Sequence, residues 1–383
     1  MSGGPDPGDG MTLGVEEELF VVDVGTRQLV DAAPLLAAVG GGRDGYPSYA
    51  DEFRTSMIES RTSPCPSLGQ LRHELCTLRL GLVRAAESAG QGIVAAASVP
   101  LAEWRTEPIN PHPRFQRVVD VYARMALEHV VCGMHVHVGI ADRDVAIQVM
   151  NRVRPWLPVL LALSASSPFW MGERTGYASY RSVVFARWPV SGIPGSFSSF
   201  DEYVRVMELL VGTEAAADKR QVFDDVRPGI PHPTLEFRIA DSCTRVDEAI
   251  VVAGLCRALV QVCLAELADD VPSPEIRPEL LRAARWRASR FGLADRLVGP
   301  ASGDLRPAAT VVDQLLAYVR SGLEQAGDWE EVTTLVAEML RTGSSAQRQQ
   351  RVFADGADLS GVVDHLVRET ANLQGGSGWA QGA

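Results

Sequence analysis

Cys132-Gly-Met-His-Val-His-Val-Gly139 is the stretch on which the reading of this chain turns. It is β-branched and strand-like, and successive strand side chains point to opposite faces, so His135 and His137 share one face while Met134, Val136 and Val138 share the other. One face is apolar and the other reactive. Two further segments repeat the pattern with complementary chemistry. Thr12-Leu-Gly-Val-Glu-Glu-Glu-Leu-Phe-Val-Val22 sets Glu16 and Glu18 on one face, and Thr234-Leu-Glu-Phe-Arg-Ile-Ala-Asp241 aligns Glu236 with Arg238. Side by side, three such strands make a metal site.

Composition narrows the function classes. A chain of 383 residues with 46% hydrophobic and 22% charged residues buries a sizeable core. A net charge of -12 argues against a general nucleic-acid binder, which needs a basic face. Lys219 is the only lysine, which excludes a G-x-x-x-x-G-K-[ST] phosphate loop, so a nucleotide must be held by arginines, metals and backbone amides. The cysteines at 65, 76, 132, 243, 256 and 263 form no C-x-x-C pair and read as reduced, mostly buried thiols. Met1 to Gly10 lacks the basic and apolar regions of a signal peptide. Ala249 to Leu264, interrupted by Arg257 and Gln261, reads as too short for a membrane span, and the expectation is a cytoplasmic protein.

Along the chain, a strand at 12–23 leads through a turn region at Gly40-Gly-Gly42 to a second strand at 51–62. Ser67 reads as an N-cap. Leu71, Leu75, Leu78, Leu82, Val83 and Ala86 recur at helical spacing, predicting an amphipathic helix over 68–88. There follow a short strand at 92–97, a helix at 114–129, the histidine strand, and helices over 142–166 interrupted by Pro155 and Pro158. Ser167 to Ser199 reads as a long loop over the site. A helix at 199–212, the Glu-Phe-Arg strand, a helix at 247–267 and, beyond Pro278, helix after helix complete the chain. Strands without regular βαβ alternation imply an α+β fold with an antiparallel sheet. The domain reading is a disordered tail over 1–11, a single catalytic domain over 12–373 with a helical region from about residue 276 onward, and a flexible tail over 374–383.

Glu16-Glu17-Glu18 alone fits a solvated edge strand. The apolar flanks Leu13, Val15, Leu19, Val21 and Val22 instead imply a central strand whose carboxylates face a cleft, where burial is costly unless the charges are paired or metal-bound. His135 and His137 alone read as hydrogen-bonded sheet histidines, and Glu236 with Arg238 as an ion pair. A carboxylate set with one imidazole suits Mg²⁺ or Mn²⁺, and an arginine beside it suits phosphoryl transfer. A zinc hydrolase lacks its H-E-x-x-H or cysteine cluster.

Together Thr12 to Leu19, Cys132 to Gly139, and Arg227-Pro with Thr234 to Asp241 resemble the signatures of YbdK-type carboxylate-amine ligases in the glutamate-cysteine ligase type 2 family, over about Thr12 to Thr370. The Gly-Met-His-Val-His piece is also shared with glutamine synthetases. The resemblance implies a glutamine synthetase-like fold, an antiparallel sheet forming a partly open barrel with helices on its outer face, that binds ATP and two or three Mg²⁺ or Mn²⁺ ions. It implies that Glu16, Glu18, Glu59, His135 and Glu236 are metal ligands, with Glu52 a further candidate. Arg238 and Arg181 would grip the ATP phosphates or the acyl phosphate, His137 would touch the nucleotide phosphates, and Arg227 the acid substrate.

The implied reaction activates a carboxylate as an acyl phosphate, which an amine then attacks to give an amide. The partners are small-molecule carboxylates and amines, with glutamate and cysteine as the family's pair and a homodimer as its assembly, and neither nucleic acid nor membrane. Val99 stands where the family usually carries a histidine, which puts substrate choice in question. A catalytically silent ATP- or metal-binding protein and a metal-dependent hydrolase are the alternatives.

Overall fold

The strands β1 (Leu13–Asp23), β2 (Tyr49–Asp51), β3 (Met57–Arg61), β4 (Gln91–Val94), β5 (Gly133–Gly139), β6 (Val226–Pro228) and β7 (Thr234–Asp241) form one sheet. The computed structural model describes residues 11–40 and 48–373; the expected tails at 1–10 and 374–383, and Gly41 and Gly42 of the expected turn, lie outside them. Met11, expected in the tail, packs half-buried against the core.

The order is β6-β7-β5-β1-β3-β2, with β4 also on β1, and every pairing is antiparallel. Edge strands β6 and β2 do not pair with each other, so the barrel stays open. Eleven-residue β1 is the hub: it pairs with β5 over Leu13–Glu17, with β3 over Glu16–Phe20 and with β4 over Phe20–Asp23. Its neighbours therefore bring their side chains to the carboxylates of β1.

The two faces separate as the period of two requires. Leu13 and Val15 of β1, Met134, Val136 and Val138 of β5, and Leu235 of β7 join one apolar cluster with Leu71 and Leu75 and with Ile250 and Leu255. These come from the helices Leu68–Ser88 and Val246–Ala268, which cover that face. Glu17 points into this core. It is fully buried and is neutralised by Arg79 of the first helix, whose guanidinium also donates to the carbonyls of Cys243 and Thr244 at 2.6 Å each. Past the carboxylates, Phe20 and Val22 are capped by Val363 and Leu366 of the helix Leu359–Ala371. Only the Glu16–Glu18 half of the second face is left open for chemistry.

The helix Leu68–Ser88 has its predicted bounds, with Ser67 Oγ accepting from Gln70 N at 3.2 Å. Several expectations are corrected. The strand over 51–62 is instead β2 and β3 joined by a turn at 52–56, where buried Arg54 donates to the carbonyls of Glu107, Leu127 and His129. The strand over 92–97 ends at Val94, because the amides of Ala95 and Ala97 turn to Thr370 and Ser166 hydroxyls. The helix over 114–129 breaks at Ala123, which has φ of 48°. The loop over 167–199 contains a six-residue helix, Tyr180–Phe185, too short to show a period and capped by Ser179. A small hairpin, Arg296–Val298 with Leu305–Pro307, interrupts the helical C-terminal region.

Val246–Ala268 is, contrary to the sequence reading, long and apolar enough to cross a membrane, but its most apolar window is 67% buried within the protein, as a core helix is. All six cysteines are unpaired, and all but Cys76 are buried.

Candidate active site

Register decides which groups meet. Across the sheet His135 stands opposite Glu16 and Glu16 opposite Arg61; Glu18 stands opposite Glu59; His137 stands opposite Glu236 and Glu236 opposite Arg227. Two clusters result, each with ligand atoms within 4.8 Å of one another: Glu16, His137 and Glu236, and Glu18, Glu52 and Glu59.

In the first cluster His137 Nδ1 lies 3.0 Å from Thr234 Oγ1, and Nε2 is buried without a hydrogen-bond partner, 3.7 Å from Glu16 Oε1. His135, expected to be the cation ligand, has Nδ1 3.1 Å from Glu16 Oε2 and 4.0 Å from Glu236 Oε1. Burial depresses the His135 pKa, and Arg238 adds to it; at His137 burial pulls the same way, but the nearby carboxylates of Glu16 and Glu236 outweigh it and the net shift is upward. Burial raises the Glu16 carboxyl, yet the hydrogen bond to His135 and the neighbouring His137 ring reverse that and hold it well below the usual carboxylate range. Glu236 is likewise held low: burial is opposed by Arg238 and Arg227, both of which pair with it.

The second cluster has the opposite electrostatics. Burial, Glu18 and Glu59 push Glu52 up to about 8. Glu18 and Glu59 are also raised, chiefly by burial, although Glu18 Oε2 accepts from Gly133 N at 2.5 Å and Glu59 pairs with Arg61. Three carboxyls crowded together without enough cationic charge protonate or take up a cation. The donor chemistry fits divalent ions at both clusters: one all-oxygen, the other two carboxylates with an imidazole nitrogen that has nothing else to bind.

The arginines are more committed than the sequence implied. Arg227 Nε donates to Glu236 Oε2 at 2.8 Å. Arg238 sits in an irregularity of β7 between Phe237 and Ala240 and pairs with Glu236. Arg181 is buried behind that irregularity, donating to the carbonyls of Arg238 at 3.1 Å and Ile239 at 3.2 Å, with Asp241 3.7 Å away. A Cβ at Gly133 would collide with this guanidinium, so glycine is needed in the histidine strand. Val99 is packed in the apolar cluster around Phe20 and Val22.

Sequence reasoning missed Thr234 as the partner of His137, and Arg61 beside Glu16 and Glu59. Thr234 heads the very motif that carries Glu236, two residues before it on the same face, but only the register reveals its partner.

A sequence model of the glutamate-cysteine ligase family 2 matches residues 12–369. A putative glutamate-cysteine ligase 2-2 of Frankia alni is 41% identical over 376 residues, covering 94% of this chain and 97% of the relative. A putative glutamate-cysteine ligase 2-2 of Frankia casuarinae is 40% identical over 364 residues; the match covers 95% of this chain and only 42% of that protein. Among solved structures, the glutamate-cysteine ligase of Francisella tularensis in complex with AMP superposes with a TM-score of 0.71 at 11% identity, covering 96% of this chain and 90% of that one. At that identity the likeness is one of fold.

Proposed function

We propose that this chain, a member of the glutamate-cysteine ligase family 2, is an ATP-dependent carboxylate-amine ligase whose active site is the sheet face carrying Glu16, His137, Glu236, Glu18, Glu52 and Glu59. The observation that carries this is the convergence of six potential ligands on one face, with His137 Nε2 buried and unbonded among carboxylates. An orphaned buried nitrogen costs free energy unless something binds it.

In this reading Glu16, His137 and Glu236 hold one Mg²⁺ or Mn²⁺ and Glu18, Glu52 and Glu59 hold another. When bound, these ions neutralise phosphate charge on ATP. The residues do the rest. His135 fixes the Glu16 carboxylate, Thr234 fixes the His137 ring, and Arg181, held by Asp241, steadies the backbone from which Arg238 projects. Arg238 is the guanidinium we assign to the transferring phosphoryl group. Arg227, which donates to Glu236, is the guanidinium we assign to the acid substrate; a cation held at Glu236 would loosen that pairing. A carboxylate is a poor acyl donor to an amine; transfer of the ATP γ-phosphoryl group gives an acyl phosphate, the amine displaces phosphate, and amide, ADP and phosphate result.

Glutamate and cysteine are the first acid and amine to test, because the relatives are named putative glutamate-cysteine ligases. Buried Val99 offers no polar contact to either. Residues 12–373 act as one catalytic unit, a reading supported by an apolar cluster that includes residues from Leu13 to Met339. The reading extends to a cytoplasmic homodimer. The test is ADP release across a matrix of carboxylates and amines with Mg²⁺ or Mn²⁺. The expected result is turnover requiring acid, amine and cation together; no turnover for any pair, with no ATP binding, contradicts it.

A further inference from the structure

Phe223 and Asp224, just before the edge strand β6, form a two-residue parallel pairing with Ser191 and Gly192. Asp224 is only 7% exposed, and its Oδ2 has no hydrogen-bond partner among the described residues. It lines a cavity of about 10 Å³ shared with Phe223, Phe185 and Arg238. That space takes one water-sized head group and not a whole substrate.

The other charged groups of the wall have partners. Asp225 is clamped by Arg285, with Nε to Oδ2 at 2.6 Å and Nη2 to Oδ1 at 3.1 Å. Arg238 pairs with Glu236, and the two terminal nitrogens of Arg181 donate to carbonyls of Arg238 and Ile239. Arg181 Nε is a second unpaired atom, but it is a donor and adds no acceptor to the wall. Asp224 is thus the carboxylate with a free acceptor, beside a phenylalanine and within the field of Asp225 on one side and of Arg227 and Arg238 on the other. Burial, then Asp225, pushes its carboxyl up to about 7 against the pull of Arg227 and Arg238, a penalty that a cationic guest bonded to the free oxygen removes.

We propose that Asp224 is the anchor for the ammonium head of the amine substrate, holding it beside Arg238 and the carboxylate face. A carboxylate with an aromatic neighbour recognises a primary ammonium group by charge-assisted hydrogen bond and cation–π attraction. The assignment rests on the ligase reading for its role, though not for the existence of the pocket. Asp224 acts here as a specificity-determining residue: it selects amines that enter as cations.

The test is Asp224→Asn, which keeps the shape and removes the charge. With cysteine as the amine and glutamate as the acid, or whichever pair supports turnover, the variant is expected to raise KM for the amine about tenfold or more, as loss of a charge-assisted hydrogen bond does. KM for ATP is expected not to follow. A parallel measurement does not depend on turnover: methylammonium chloride, compared with sodium chloride at equal ionic strength, raises the Tm of the unaltered protein and fails to raise that of the variant. An unchanged amine KM, a joint loss of amine, acid and ATP parameters, or a Tm that responds to inorganic phosphate and not to methylammonium overturns the proposal. Failure of the ligase reading looks different, as absence of ADP release from the unaltered protein, and the Tm comparison still decides what the pocket binds.

Discussion

His137 Nε2 faces Glu16 Oε1 across 3.7 Å, too far for a hydrogen bond and close enough for both to bind one ion. The ring is aimed by Thr234, whose Oγ1 sits 3.0 Å from Nδ1. A hydroxyl that accepts from Nδ1 leaves the Nε2 lone pair for a cation. Thr234→Val is therefore expected to weaken Mn²⁺ binding about 10- to 100-fold with little change in Tm. Titrating Mn²⁺ by its paramagnetic signal checks this, and unchanged affinity removes Thr234 from the site.

Glu52 supplies a pH signature. Its carboxyl is pushed up to about 8 by burial, Glu18 and Glu59, from an ordinary value of 4.5. Between those values the folded, cation-free protein keeps a proton that the unfolded chain releases. Stability conferred by that proton is present at low pH and lost as pH rises through about 8, with a slope of at most roughly 1.4 kcal/mol per pH unit. Chemical denaturation in EDTA from pH 5 to 9 is the measurement, with the slope expected to flatten in Glu52→Gln and when Mg²⁺ is added. Cation binding is expected to strengthen over the same window, because the cation competes with the proton.

Glu17 and Arg79 form an ion pair with no exposure on either side. Removing one partner strands the other charge in the core, so Arg79→Met is expected to cost about 3–5 kcal/mol in urea denaturation. The double variant Glu17→Met with Arg79→Met strands no charge and is expected to recover part of that loss. No recovery assigns the effect to the Arg79 bonds with the Cys243 and Thr244 carbonyls instead.

Gly133 gives Arg181 its place against the histidine strand. Gly133→Ala drives the guanidinium off the Arg238 and Ile239 carbonyls, with an expected cost of about 1–3 kcal/mol from overpacking. Because Arg238 then loses its support, ligase turnover is expected to fall by more than the loss of folded protein explains. Comparing kcat with Tm at a temperature where the variant is fully folded separates the two effects.

The face chemistry of β1, β5 and β7 was legible because strand alternation is a property of neighbouring residues: Glu16 with Glu18, His135 with His137, and Glu236 with Arg238 fall on common faces at any register. The helices Leu68–Ser88 and Val246–Ala268 were legible for the same local reason. Which histidine keeps a nitrogen free was not, since both share a face and only the structure shows His135 Nδ1 against Glu16 and His137 Nε2 without a partner. Glu52 was readable as an acid but not as the end of a turn, because that turn is held by Arg54 reaching carbonyls 53 to 75 residues away. Asp224 gave no signal: its importance lies in the lack of a partner, which a sequence does not display.

We propose that two sets of side chains on one sheet face hold divalent ions for ATP. Counting Mn²⁺ bound per chain in the presence of a non-hydrolysable ATP analogue tests it most directly. At least two ions are expected, with one lost in Glu236→Gln and a different one lost in Glu59→Gln. Retention of the full count in both variants, each still folded, contradicts it.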